Sequence, residues 1–160
     1  MRVRLLLDRD GRVTLSAVPC DVSPVTDPNL VPVRHPLPEV MFSEQATDRN
    51  DIFLFHKTTR RKLYETERDK ALAKGFFEVL FANREGEATE GSVTTLFVRQ
   101  GGELVTPPLD CGLLPGTFRR MLLEEGRAVE RVVRREEVCG AAEVYVGNSV
   151  RGLVRVRVRS

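Results

Sequence analysis

The sequence predicts an α+β fold dominated by sheet. Three observations lead there: runs in which apolar residues are dense or alternate with polar ones, two stretches of helical composition, and turn residues that punctuate the runs at short intervals. With 160 residues and 41% hydrophobic content, the chain has enough apolar side chains for one core.

The first predicted element is a hairpin over 2–18, with "RVRLLL", a turn at "DRDG" and "RVTLSAV". From Cys20 to about Asn50 the pattern is lost, and Pro24, Pro28, Pro32, Pro36 and Pro38 recur. That stretch reads as a linker or an extended wrapping segment. The short apolar run "IFLF" precedes Lys57. "TTRRKLYETERDKALAKG" then has helical composition ending at Gly75, with Thr58 or Thr59 placed to cap it. After Gly75 the period changes. "FFEVLFAN", a turn at "REGE", "ATEGSVTTLFVRQ", a turn at "GG" and "ELVTPPL" read as a three-stranded meander. "GLLPGTFRRMLLEEG" is a loop feeding a helix from Thr117 to about Glu125, "VERVVRR" a further strand and "EEVCGAA" a short helical turn. "EVYVGNSVRGLVRVRV" supplies the last strands. Val154, Val156 and Val158 alternate there with arginines, as in a strand with one buried face. Those arginines are either a solvated face or the rim of an anion-binding cleft.

Bulk properties exclude several classes. The net charge is +2 with acids and bases interspersed, too little for a nucleic-acid footprint. Apolar runs such as "FFEVLFA" are far too short to span a bilayer, and "MRVRLLLDRDGRV" does not read as a signal peptide. Cys20, Cys111 and Cys139 are odd in number and widely spaced, without a CxxC pair. That predicts a reducing cytoplasm and neither a disulfide framework nor a metal site.

Four stretches carry candidate chemistry. Lys57 stands where the apolar "IFLFH" meets a charged helix, although a lysine is usually a solvated surface charge. "TEGS" puts Glu90 inside a strand-like run, where an acid is a poor strand former. "LLPGTFR" opens a helix whose first free amides come from Thr117 and Phe118, a terminus suited to phosphate. "GNSVRG" offers a turn with Asn148 and Ser149 as donors.

Taken together and in this order, HKTTRR..Y, GFFEVLFAN, TEGS, TPPL..GLLPGTFR and GNSVRG resemble the class IV aminotransferase family, pyridoxal-phosphate enzymes of fold type IV. The match runs from about Asp51 to Val156 and is closest to aminodeoxychorismate lyases. The resemblance implies a sheet-rich, pseudo-barrel large domain over 51–160. It also implies a proline-rich linker over 20–50 and, over 1–19, the hairpin end of a truncated small domain. Either the chain is a fragment of a longer product, or its gene is truncated, or a separate polypeptide supplies the missing part; the family's fold implies a homodimer.

The resemblance assigns roles as well. Lys57 is expected to form the Schiff base with pyridoxal 5′-phosphate and then to act as general base, favoured by an apolar junction that disfavours the ammonium form. Glu90 is expected to partner the pyridine nitrogen. Thr117, the Phe118 amide, Ser149 and Asn148 are expected around the phosphate. Many relatives carry a threonine where Phe118 stands, so only the backbone serves at that position. Arg61 and Tyr64 are expected beside the ring. The implied reaction converts 4-amino-4-deoxychorismate to p-aminobenzoate and pyruvate, for folate synthesis. The alternatives are a truncated, inactive or cofactor-poor homologue serving as a subunit or module, and a transaminase acting on branched-chain or D-amino acids.

Overall fold

The computed structural model describes residues 1–20, 24–32 and 34–159. In chain order the strands are β1 (Arg2–Leu7), β2 (Val13–Val18), β3 (Glu39–Phe42), β4 (Glu78–Ala82), β5 (Ala88–Gly91), β6 (Thr95–Gln100), β7 (Glu103–Thr106), β8 (Val129–Glu130), β9 (Val144–Asn148) and β10 (Gly152–Arg159). The α-helices are α1 (Lys62–Ala73), α2 (Thr117–Glu124) and α3 (Arg135–Gly140).

Six strands run β5-β4-β3-β10-β9-β6, and β6 returns to β5 where Glu90 stands opposite Thr95, so the sheet closes on itself. Closure removes two edges that would otherwise present unpaired backbone groups. The β3 strand is parallel to both β10 and β4, and β7 and β8 extend the sheet beyond β6.

Alternation along each strand sorts the core. Leu80 and Ala82 of β4, Leu96 and Val98 of β6, and Val144 and Val146 of β9 share one buried cluster with Val40, Phe42 and Val156. The intervening residues face the other way. Val79 and Phe81 pack with Tyr64 and Ala71 of α1, whereas Phe97 and Tyr145 pack with Phe118 and Leu122 of α2. Both faces of β4, β6 and β9 are therefore covered, and their sequences read as apolar runs rather than clean alternation.

The β1–β2 hairpin forms its own two-stranded sheet, with Arg2 opposite Val18 and Leu7 opposite Val13. Every residue of both strands is exposed. By register, one face is wholly apolar (Val3, Leu5, Leu7, Val13, Leu15 and Ala17) and the other carries Arg2, Arg4, Thr14 and Ser16.

The structure departs from the sequence reading in four places. The proline-rich stretch contributes β3, an interior strand; its residues 21–23 and 33 lie outside the described residues. Four residues alternating half-buried and buried are too short a signal among so many prolines. The run "ATEGSVTTLFVRQ" is two strands, split by a bend at 92–94, so the meander has four strands. Neither Thr58 nor Thr59 caps α1. The Thr58 hydroxyl instead accepts from the Arg60 amide (3.1 Å), and the Arg61 amide donates to the Thr59 carbonyl (2.9 Å), so a tight turn delays the helix to Lys62. The "VERVVRR" strand shrinks to Val129–Glu130.

The predicted end at Gly75 matches the structure. Its amide donates to Leu72 and that of Phe76 to the Ala71 carbonyl, with Gly75 at φ +85°, a Schellman stop.

Phe81 is fully buried, and its ring lies 4.4 Å from that of Tyr64, tying α1 to the barrel. Phe81→Ala is expected to lower the unfolding free energy by about 3–5 kcal/mol in a urea titration. Leu72→Ala, on the exposed side of α1, is expected to change it by about 0.5 kcal/mol or less.

Candidate active site

A cavity of about 700 Å³ is lined by the segment around Lys57, the β5–β6 turn, the loop entering α2 and the β9–β10 turn. Lys57, Arg61, Glu90, Thr117, Phe118, Asn148 and Ser149 all line it. The chain has four lysines, and only Lys57 reaches this cavity.

Glu90 occupies one side. Between the pairs Leu80–Gly91 and Ala82–Ala88 the register shifts, so Thr89 and Glu90 share the place opposite Phe81. Such a bulge re-aims a side chain that strict alternation would send into the core. The Glu90 side chain is buried; Tyr64 Oη donates to Oε1 (3.1 Å) and the Leu114 amide donates to Oε2 (3.3 Å). Burial pushes the carboxyl up to about 7, although the Leu114 amide, the Tyr64 hydroxyl and the charges of Arg61 and Lys57 oppose it. Burial and the adjoining Glu90 also hold the Tyr64 phenol above its usual range, so it remains a donor.

The opposite side is built from α2 and the β9–β10 turn. Helix α2 starts at Thr117 behind Gly116, which gives no side-chain cap, and the first amide bonded back into the helix is that of Arg120. The amides of Thr117 and Phe118 therefore have no intrahelical acceptor. Thr117 Oγ1 and Ser149 Oγ lie 2.9 Å apart, two hydroxyls converging at the helix terminus. The Phe118 ring is buried edge-to-face on Phe97, with centroids 6.2 Å apart, so only its backbone is polar here.

At three expected positions the structure adds surroundings that the sequence reading did not include. Lys57 is exposed, so no apolar junction surrounds it in this chain. Asn148 serves the turn, because its Oδ1 accepts from the Val150 and Arg151 amides (3.0 Å each) and its Nδ2 donates to the Val93 carbonyl (3.0 Å). Tyr64 is not part of the cavity wall; it stands behind Glu90. Of the C-terminal arginines, Arg151 lines the cavity, while Arg155 and Arg159 sit beside Glu143 and Glu39.

The sequence reading missed the Leu114 amide, which no side-chain motif reports, and the arginines Arg2 and Arg68 of the cavity wall. It also missed a buried glutamate, Glu78, beneath the β5–β6 turn.

The sequence pattern of the family described as "Amino-transferase class IV" matches residues 2–158. The fold superposes with TM-score 0.86 and 39% identity on a Mesorhizobium loti structure named "Putative amino-acid aminotransferase", over 99% of this chain and 73% of that one. The Escherichia coli branched-chain amino acid aminotransferase superposes with TM-score 0.66 and 26% identity, over 75% of this chain and 43% of that one. A Schizosaccharomyces pombe protein named "Putative aminodeoxychorismate lyase" is 28% identical over 155 residues, which is 94% of this chain and 63% of that relative.

The fold is the sheet-rich, barrel-centred architecture of fold type IV enzymes. The chain belongs to the class IV amino-transferase family. It spans about three fifths of the fission-yeast relative's length.

A carboxyl whose folded pKa is raised stabilises the fold fully below its unfolded pKa, and that contribution is lost as pH rises through the folded value. For Glu90 the window runs from about 4.5 to about 7. Its ionisation is expected to cost the cofactor-free chain about 3 kcal/mol across that window. Urea titrations at pH 5 and pH 8 are expected to show a smaller pH-dependent loss for Glu90→Gln than for the unmodified chain.

Proposed function

We propose that this chain is the large-domain part of a pyridoxal-phosphate enzyme acting as a 4-amino-4-deoxychorismate lyase, which releases p-aminobenzoate and pyruvate. One observation carries the reading: Lys57, alone among the lysines, lines a cavity bounded by the Glu90 carboxyl and by the hydroxyls and free amides of Thr117, Phe118 and Ser149. The residues suit the cofactor, because an uncapped helix terminus with two converging hydroxyls favours a phosphate and a buried carboxyl favours a protonated ring nitrogen.

When bound, pyridoxal phosphate supplies an aldehyde for amines and an electron-poor ring that stabilises negative charge on the adjoining carbon. The chain's own residues do the rest. Thr117, Ser149 and the helix amides would hold the phosphate. Glu90 would hold the ring nitrogen, with its carboxylate accepting from the ring N–H. Tyr64 and the Leu114 amide keep that carboxyl aimed. Lys57 Nζ has no hydrogen-bond or ion-pair partner among the described residues, which leaves it available to take the proton beside the substrate nitrogen. Loss of the enolpyruvyl group leaves an aromatic ring, and aromatisation drives the step.

The name of the fission-yeast relative supports the lyase; those of the Mesorhizobium and Escherichia coli structures support a second reading, an amino-acid transaminase. Both use the same residues. The exposure of Lys57 and of the hairpin's apolar face supports a site completed by further protein, either a second copy of this chain or a separate polypeptide. A cytoplasmic location is part of the proposal. Among the described residues, no helix is long and apolar enough to cross a membrane.

The purified chain mixed with pyridoxal phosphate is expected to develop a yellow absorbance that borohydride abolishes and that Lys57→Ala lacks. Supplied with 4-amino-4-deoxychorismate, the yellow protein is expected to form p-aminobenzoate without any keto-acid acceptor. A requirement for a keto acid would favour the transaminase, and a colourless wild-type chain would overturn the cofactor assignment for the chain alone.

A further inference from the structure

Glu78 opens β4 and is 1% exposed, yet its carboxylate meets five donors. Oε1 accepts from the Val79 amide (3.0 Å), from Arg68 Nη1 (3.2 Å) and from the Ser92 hydroxyl in a short bond. Oε2 accepts from the Thr94 hydroxyl (3.0 Å) and the Val93 amide (3.3 Å). Three of the five donors belong to the 92–94 bend between β5 and β6, so this one side chain holds both sides of the bend. Gly91 makes room for it. A Cβ on Gly91 would lie 2.3 Å from Thr94 Oγ1 and 3.1 Å from Glu78 Cγ, so the glycine of "TEGS" is needed for close approach.

The outward groups of the same bend hold the cavity's two sides. The Ser92 carbonyl accepts from Arg61, whose guanidinium stands over the Tyr64 ring, and Tyr64 donates to Glu90. The Val93 carbonyl accepts from Asn148 Nδ2, and Asn148 organises the turn that carries Ser149. Two short chains of contacts thus leave one bend, one toward Glu90 and the other toward the Thr117–Ser149 hydroxyl pair. Nothing in the mechanism above uses Glu78.

We propose that Glu78 is the positioning residue of the cofactor site: by fixing the 92–94 bend, its buried carboxylate sets Glu90 and Ser149 in register with each other. The inference rests on reading the cavity as the cofactor site. Glu78 neither lines the cavity nor bonds to Lys57, so its effect is carried through Ser92, Val93 and Thr94, which do line it.

Glu78→Gln is nearly isosteric and separates this role from simple packing. The amide group has donors on one of its two termini, but backbone amides face both: Val79 on one side and Val93 on the other. Either orientation therefore sets an N–H against an N–H, which the bend relieves by moving. Two readouts are taken on the full chain. Hydrogen exchange without cofactor is expected to quicken in peptides covering 91–95 and 146–151 and to stay unchanged in α3. Titration with pyridoxal phosphate is expected to give a Kd raised about tenfold or more. Thr94→Val, which deletes one donor at constant shape, is expected to move both readouts in the same direction by less. Val138→Ala, a cavity in the core beneath α3, serves as the control for a stability loss alone and is expected to leave the Kd within about twofold.

Unchanged exchange at 146–151 with an unchanged Kd in a folded Glu78→Gln would overturn the proposal, as would a Val138→Ala chain that loses cofactor to the same degree. Should Glu78→Gln fail to fold, Thr94→Val decides between the same outcomes. If the unmodified chain takes up no pyridoxal phosphate, the cofactor reading fails and the exchange arm still tests the positioning role.

Discussion

The barrel closes through one short ladder in which Glu90 and Thr95 face each other across the bend between β5 and β6. A ladder of that length does not fix its own register. Beside the backbone bonds from Gly91 to Thr94 (2.8 Å) and from Ser92 to Val79 (3.0 Å), the buried Glu78 carboxylate accepts from Ser92, Val93 and Thr94 and so gathers all three residues of the bend. Arg68 adjoins the same carboxylate, so the buried charge is paired as well as hydrogen-bonded. The other strand pairs complete the ring around this point.

From that bend the site's chemistry follows as a matter of placement. The bulge beside it turns Glu90 out of the core and toward the cavity. Helix α2 packs through Phe118 and Leu122 on Phe97 and Tyr145, and that packing puts its uncapped terminus across from Ser149. Close approach there depends on Gly147, where a Cβ would lie 2.8 Å from the Phe118 ring. Charge is distributed unevenly: Arg2, Arg61, Arg68, Arg151 and Lys57 line the cavity, against the single carboxyl of Glu90. A surplus of fixed cations suits an anionic occupant such as a phosphorylated cofactor with a carboxylate substrate.

Much of this was legible in the sequence, for reasons that differ by element. The hairpin at the start, the stop of α1 at Gly75 and the start of α2 at Thr117 were readable because turn residues and helical composition are local signals. The cavity's members were readable only as a set of motifs, since Lys57, Glu90, Thr117 and Ser149 come from four separate segments and each looks ordinary alone. The interior strand β3 escaped because its neighbours β4 and β10 are distant in the chain and its four residues are hidden among prolines. The break at 92–94 escaped because Ser, Val and Thr are all compatible with a strand; the bend is imposed by Glu78, more than ten residues earlier. Asn148 looked like an open donor for the same kind of reason, since only the fold brings the Val93 carbonyl within 3.0 Å of its amide.

On the proposed reading, this cavity is a pyridoxal-phosphate site with Lys57 as its reactive amine. Borohydride reduction of the chain mixed with the cofactor, followed by proteolysis and mass spectrometry of the peptides, tests it most directly. Lys62, Lys70 and Lys74 are exposed on or beside α1 and act as internal controls for indiscriminate labelling. One stable pyridoxyl adduct is expected, on the peptide containing Lys57. Label shared evenly among the four lysines, or none on Lys57, would contradict it.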